Sequence, residues 1–147
     1  MNNIILNSLQ RKIMTIAKNE ILEINEKSSA YGLILKPEDV EEIIKSRAYS
    51  LKSYGRIDLN MDITKKLINN IYSSQYTDKD DYVEVINDLQ DIFYFLKNET
   101  LDEISDDEII DMVSEFYEKT SGRMDNIQNL AEKFVMDFKL GRMNINE

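Results

Sequence analysis

Apolar residues recur at intervals of three and four along nearly the whole chain, the spacing of helices with one buried face, and no run alternates convincingly as a half-buried strand would. Leu6, Leu9, Ile13, Ile16 and Ala17 predict a first helix from about Asn3 to Glu26, broken by the segment KSSAYG. Lys36-Pro37-Glu38-Asp39 predicts the start of a second. Proline suits the first helical position, where its missing N–H costs nothing, and the acids face the positive end of the helix dipole. That helix closes at Gly55 and buries Val40, Ile43, Ile44, Ala48 and Leu51. Asn60 is the expected cap of a third helix built on Ile63, Leu67 and Ile71, which ends at Ser73-Ser74-Gln75-Tyr76.

Thr77 is read as the cap of a fourth helix, with Tyr82, Ile86, Leu89 and Phe93 pointing inward. Ser105 with Glu108 three residues later forms a capping box for a fifth, whose stripe is Ile109, Met112, Val113 and Phe116 and whose stop is Gly122. A sixth, from Met124 to Leu140, uses Ile127, Leu130, Ala131, Phe134 and Phe138, and residues 141–147 form a tail expected to fray. With one proline, four glycines and no internal repeat, nothing divides the chain. The expectation is all-α: a single domain over residues 1–147, a compact bundle of six helices with sequential neighbours mostly antiparallel.

Composition supports a folded protein. A chain of 147 residues with 42% hydrophobic content can bury roughly two-thirds of its unfolded surface. Absent cysteine removes disulfides, thiolate chemistry and cysteine-based zinc sites, as suits a reducing compartment. The longest apolar run is Ile92 to Leu96, far short of a membrane span, and the start MNNIILNSLQRK has too short an apolar block for a signal peptide. These features indicate a soluble, cytoplasmic protein with no membrane partner.

Charge adds the strongest asymmetry. Asp78 to Glu118 contains fifteen acids and two bases, so this window carries -13 of a net -10 and the remainder is slightly positive. Asp78, Asp80 and Asp81 are expected in the first turn of the fourth helix and Asp106, Asp107 and Glu108 in that of the fifth, where the dipole favours carboxylates. Glu84, Asp88 and Asp91 fall together opposite the inward face. Phe95 lies on their side and Tyr94 between it and the core, so the IFYFL segment is apolar nearly all round. Either that end of the helix is centrally buried, or an aromatic stands exposed among acids. The stripe is then a solvated face, or a partner-binding face of Glu84, Asp88, Asp91, Tyr94 and Phe95 suited to a protein with a basic surface. Basic residues gather from Lys45 to Lys66, where they face solvent or pair with the acidic helices; a pI of 4.6 argues against nucleic acid as a partner. Arg56, in the turn beside Gly55, is a candidate for a structural clasp or an anion contact.

Catalytic templates fit poorly. No glycine occurs from Asp78 to Glu118, which excludes an EF-hand loop. Without histidine there is no base for a serine nucleophile, and no phosphate-binding glycine pattern is present. Helical nucleotide pyrophosphohydrolases hold magnesium with paired carboxylates, and Glu38…Glu41, Glu99…Asp102 and Glu108…Asp111 match that spacing weakly, without the adjacent glutamates or basic phosphate ligand. No metal, cofactor or catalytic residue is assigned. The expected function is a non-enzymatic helical protein acting through protein–protein contacts, as an adaptor or homo-oligomer. A magnesium-dependent helical nucleotide hydrolase and an acidic nucleic-acid mimic binding a basic protein are the alternatives.

The segments YGLILKPEDVEEIIKSR, SYGRIDLN and DIFYFLKNETLDEISDDEIIDMVSEFYE resemble a family of small uncharacterised helical proteins of low-GC Firmicutes such as clostridia, a domain of unknown function. The resemblance runs from about Tyr31 to Glu132. It implies a bacterial cytosolic protein and carries over no activity, cofactor or site residue.

Overall fold

A computed structural model describes the backbone of residues 2–146 and the side chains of residues 8–141. Six long helices account for nearly all of it: α1 (Asn2–Leu22), α3 (Pro37–Ser53), α4 (Asp62–Ile71), α5 (Tyr82–Glu99), α6 (Asp106–Lys119) and α7 (Met124–Asn146). A single extra turn, α2 (Asn25–Ser28), and a short 3₁₀ segment at Ser29–Tyr31 link α1 to α3. There is no strand among the described residues.

The organiser is α5. It packs against α3, α4, α6 and α7, so its apolar residues Ile86, Leu89, Phe93 and Leu96 are the centre of one continuous core. A helix enclosed this way needs an apolar surface wider than one stripe, which the IFYFL segment supplies. Thr64 and Gln90 are fully buried and satisfy one another, the threonine hydroxyl donating to Gln90 Oε1 at 2.6 Å while Gln90 Nε2 reaches the Ile43 carbonyl at 3.3 Å. A polar bridge between α3, α4 and α5 fixes their register, because an unpaired amide there would be costly.

Helix ends explain much of the path. The Arg56 N–H returns to the Leu51 carbonyl at 2.8 Å across Gly55, whose φ of 63° is the left-handed conformation such an ending needs. Helix α6 closes in the same way one residue earlier than expected, with the Gly122 N–H on the Tyr117 carbonyl and Ser121, at φ of 56°, in the place of Gly55; a Cβ on Gly122 would lie 3.2 Å from that of Tyr76. Half of the expected Ser105–Glu108 capping box is formed: the Glu108 N–H donates to Ser105 Oγ at 3.2 Å, while the Glu108 carboxylate accepts the Ser105 hydroxyl at 3.1 Å instead of its backbone N–H.

Several boundaries differ from expectation. The first helix ends at Leu22 because the chain tightens to i→i+3 bonding at Ile24 before α2. Thr77 does not cap α5: its hydroxyl donates to the Ile71 carbonyl at 2.6 Å, sealing the end of α4, and lies 2.8 Å from the Tyr117 hydroxyl. Asp78 and Asp80 therefore form a turn ahead of the helix, in which Asp78 Oδ1 accepts the Asp80 N–H. Asn60 acts one position early, accepting the Asp62 N–H at 3.0 Å. Helix α7 continues through Gly141 to Asn146. Its expected stripe is only partly inside, with Ile127 and Ala131 buried while Leu130, Phe134 and Phe138 are half-buried.

The largest departure is in α1. Leu9, Ile13 and Ile16 are exposed, and only from Ala17 onward does that face meet the core; the side chain of Leu6 lies outside the described residues.

Candidate functional site

Between the end of α3 and the start of α4, residues 56–59 adopt no regular structure, and half-buried and exposed side chains alternate along them. The polar members of Arg56-Ile57-Asp58-Leu59 are tied inward. Arg56 clasps Asp102 with both terminal nitrogens, Nη1 to Oδ2 at 3.2 Å and Nη2 to Oδ1. Asp58 accepts the Tyr94 hydroxyl at 2.7 Å, and Arg47 from α3 donates one nitrogen to the carbonyls of Asp58 and Asn60 at 2.7 and 2.8 Å. The apolar members face water: Ile57 is 88% and Leu59 92% exposed.

The electrostatics suit a fixed loop. The Arg56 hydrogen bond holds the Asp102 carboxyl below the ordinary carboxylate range, against a smaller opposing effect of burial. The same contact raises Arg56. Burial, then the hydrogen bond to the Asp58 carboxylate, pushes the Tyr94 hydroxyl well up, so it stays a donor at any physiological pH. Next to it, Lys97 ties α5 to α6 through the Ile104 carbonyl and the Asp106 carboxylate, both at 2.8 Å. Leu101, immediately before Asp102, is exposed and has φ of 54°, a left-handed position that glycine ordinarily fills. Three aliphatic side chains thus stand exposed on or beside one clasped junction, one of them on strained backbone.

Leu59 also forms one wall of a groove of about 700 Å³ whose other apolar walls include Ile13 and Ile16 of α1, Ile44 of α3 and Met61. Glu20 and Asp58 add carboxylates to its lining. A groove with such walls can take an apolar ridge.

The residues singled out from the sequence separate into two places. Arg56 is at the junction, as a clasp, and Tyr94 serves the same junction from inside, buried and bonded to Asp58. Glu84, Asp88 and Asp91 run along α5 elsewhere. Only Glu84 is exposed; Asp88, Asp91 and Phe95 are half-buried because α5 is enclosed by its neighbours. Asp91 accepts the hydroxyl of buried Ser50 at 2.9 Å, and burial together with the Asp91 charge pushes the Tyr54 hydroxyl up to about 12. Burial, then repulsion from Glu84 and Asp91, raises the Asp88 carboxyl. The acidic stripe is therefore a partly buried seam instead of a solvated face.

Each carboxylate pair considered for magnesium has at least one member engaged elsewhere. Glu41 takes Lys18 at 2.6 Å, Glu99 takes Lys139 at 2.8 Å, Asp102 takes Arg56 and Glu108 accepts the Ser105 hydroxyl at 3.1 Å. Among the described residues no three acids converge as a metal site requires.

Sequence reasoning missed Ile57, Leu59 and Arg47. The signal for the first two was the alternation of charged and aliphatic residues after a helix-ending glycine; Arg47 carried none, since it looked like one of several basic residues on a helix.

A family of unknown function, DUF6323, matches residues 20–144. The chain belongs to that family. The match extends beyond the Tyr31 to Glu132 resemblance on both sides, takes in the clasped junction with Ile57, Leu59 and Leu101, and leaves most of α1 ahead of the DUF6323 segment. No curated protein and no solved structure matches the chain. Among the described residues no helix is long and apolar enough to cross a membrane.

Proposed function

We propose that this protein is non-enzymatic and works by protein–protein contact, as an adaptor or a self-associating subunit in the cytoplasm of a bacterium, with the Arg56–Leu59 junction as its contact point. One observation carries the reading: Ile57 and Leu59 are almost fully exposed on a loop clamped from two helices and from the turn between α5 and α6. A flexible loop could fold such side chains back onto the body. Here the clamps prevent it, so the apolar surface stays in water until something covers it. Pre-set, rigid aliphatic anchors lose little entropy on binding, which is what a recognition surface requires. Leu101 adds a third exposed aliphatic beside the clasp, on the left-handed residue that closes α5 by letting the Asp102 N–H reach the Lys97 carbonyl. The exposed Glu84 can still steer a basic partner, but Asp88 is half-buried and Asp91 accepts the Ser50 hydroxyl. Nothing in the geometry favours the hydrolase reading or the nucleic-acid mimic.

The test uses Ile57→Ser with Leu59→Ser. Both positions are exposed, so the double variant should melt like the wild type, within about 0.5 kcal/mol. Partner capture from the native host, together with light-scattering mass, should show an association in the wild type that the variant loses. Retention of every association by a folded double variant would overturn the reading.

A further inference from the structure

Every residue from Ser8 to Ile16 is exposed, on all sides of α1. The N-terminal part of that helix is an arm that stands off the bundle, and the helix packs chiefly against α3. This stretch gains little from packing, which is where most of a helix's stability in a protein comes from. Yet the arm carries an ordered apolar seam. Leu9, Ile13 and Ile16 are spaced four and three apart, the heptad spacing with which helices pair, and with Met14 they are 44% to 60% exposed.

We infer that α1 is a self-association element: the arm of one copy pairs with the arm of a second and closes the groove edged by Leu59. The inference deepens the contact reading by naming the partner as another copy of this chain. Two further observations point to that occupant. The first is area. Leu9, Ile13, Met14, Ile16 and Leu59 together expose on the order of 600 Å² per copy, close to the roughly 800 Å² per partner of a standard interface once a polar rim is added. The second is charge. Residues 1–19 hold Arg11, Lys12 and Lys18 and no acid, so the arm carries +3 and the rest of a chain of net -10 carries -13. Lys18 is paired with Glu41 in its own body, whereas Arg11 and Lys12 have no acidic partner among the described residues. The groove they would approach in a second copy is lined by Glu20 and Asp58 but also by Arg47, and both acids have partners of their own, Glu20 with Lys65 at 3.7 Å and Asp58 with Tyr94 at 2.7 Å, so the attraction comes from the net charge of the body and not from a free acid in the groove. A basic arm and an acidic body attract between copies, and reciprocal contacts about a two-fold axis satisfy both at once.

The experiment is light-scattering mass of the purified full chain over a concentration series, for the wild type, Ile13→Asp and Leu59→Asp. The wild type should approach twice 17.3 kDa and both variants should stay at 17.3 kDa with unchanged bundle melting. Because the chain has no cysteine, Ile13→Cys introduces a single thiol at the middle of the seam, and mild oxidation should link two copies through it. Tyr49→Cys, an exposed position on α3, should not link. A wild type that is monomeric at every concentration overturns the inference, as does a dimer that survives Ile13→Asp. If the chain is monomeric while Ile57→Ser with Leu59→Ser still abolishes capture of another protein, self-association fails and the contact reading stands.

Discussion

Replacing Arg47 by methionine isolates the clamp that holds the junction. Methionine keeps much of the aliphatic stem, so packing on α3 is largely retained, while the guanidinium is lost. That group is 11% exposed and makes hydrogen bonds of 2.7 and 2.8 Å to the carbonyls of Asp58 and Asn60, with the Asp58 carboxylate 3.9 Å away. Hydrogen bonds from a charged donor contribute about 1.5–3 kcal/mol each. The Asn60 carbonyl can recover water once the clamp is gone, because its residue is exposed, and the orphaned Nε of Arg47 disappears with the charge. Both effects reduce the loss, leaving about 2–3 kcal/mol, a large share of the 5–15 kcal/mol typical of a domain. Urea unfolding followed by circular dichroism measures it, with hydrogen exchange at the Arg56 and Asp62 amides reporting on the loop. The expected result is a lower midpoint with the same slope, and exchange at Asp62 quickened more than in the middle of α5. Arg47→Lys should fall between, since an ammonium lacks the planar fork. A loss under about 0.5 kcal/mol with unchanged exchange at Asp62 would refute the clamp and return Arg47 to the ordinary surface.

Two other outcomes follow from the same structure. The raised carboxyl of Asp88 means the native state holds that proton more tightly than the unfolded chain, so stability should rise as pH falls from neutral toward the usual carboxylate value of 3.8. Asp102 and Glu41 are lowered, so the stability they add is present above the ordinary carboxylate range and is lost in deeper acid. The melting temperature should therefore pass through a maximum on acidification; Asp88→Asn should remove the rise and be the more stable protein at neutral pH, and a steady fall in the wild type would contradict the assignment. Leu101→Gly relieves a left-handed leucine that packs on little, and chemical unfolding should show a gain of about 0.5–1 kcal/mol; a loss would mean that the leucine side chain supports the fold.

The helices were legible because capping chemistry and the 3.6-residue period act locally. Pro37 and Gly55 do what their positions imply, Ser105 caps α6 through the Glu108 N–H, and α6 stops within one residue of Gly122. Thr77 misled because a hydroxyl that can cap the next helix can equally close the previous one, and only packing of α4 on α6 decides which. The acidic stripe misled for a related reason: a helical wheel shows which residues share a face, while the number of neighbours around α5 decides whether that face meets water. In α1 the failure ran the other way. A periodic apolar stripe normally marks a core face, and Leu9, Ile13 and Ile16 look like one although nothing within the described chain covers them. Arg47 was hidden because its partners are backbone carbonyls, which sequence does not distinguish.

The central claim is that the junction meets another protein through Leu59. A photo-crosslinking amino acid at position 59, introduced into the full chain in its native host, tests it whatever the partner is. Leu59 is the most exposed large aliphatic of the described residues, so the replacement leaves the core intact. Lys133, exposed on α7, is the control position. A discrete covalent adduct is expected from position 59, to a second copy or to another protein, and none from position 133. Illumination that yields no adduct at position 59, or the same products at both positions, would contradict the claim.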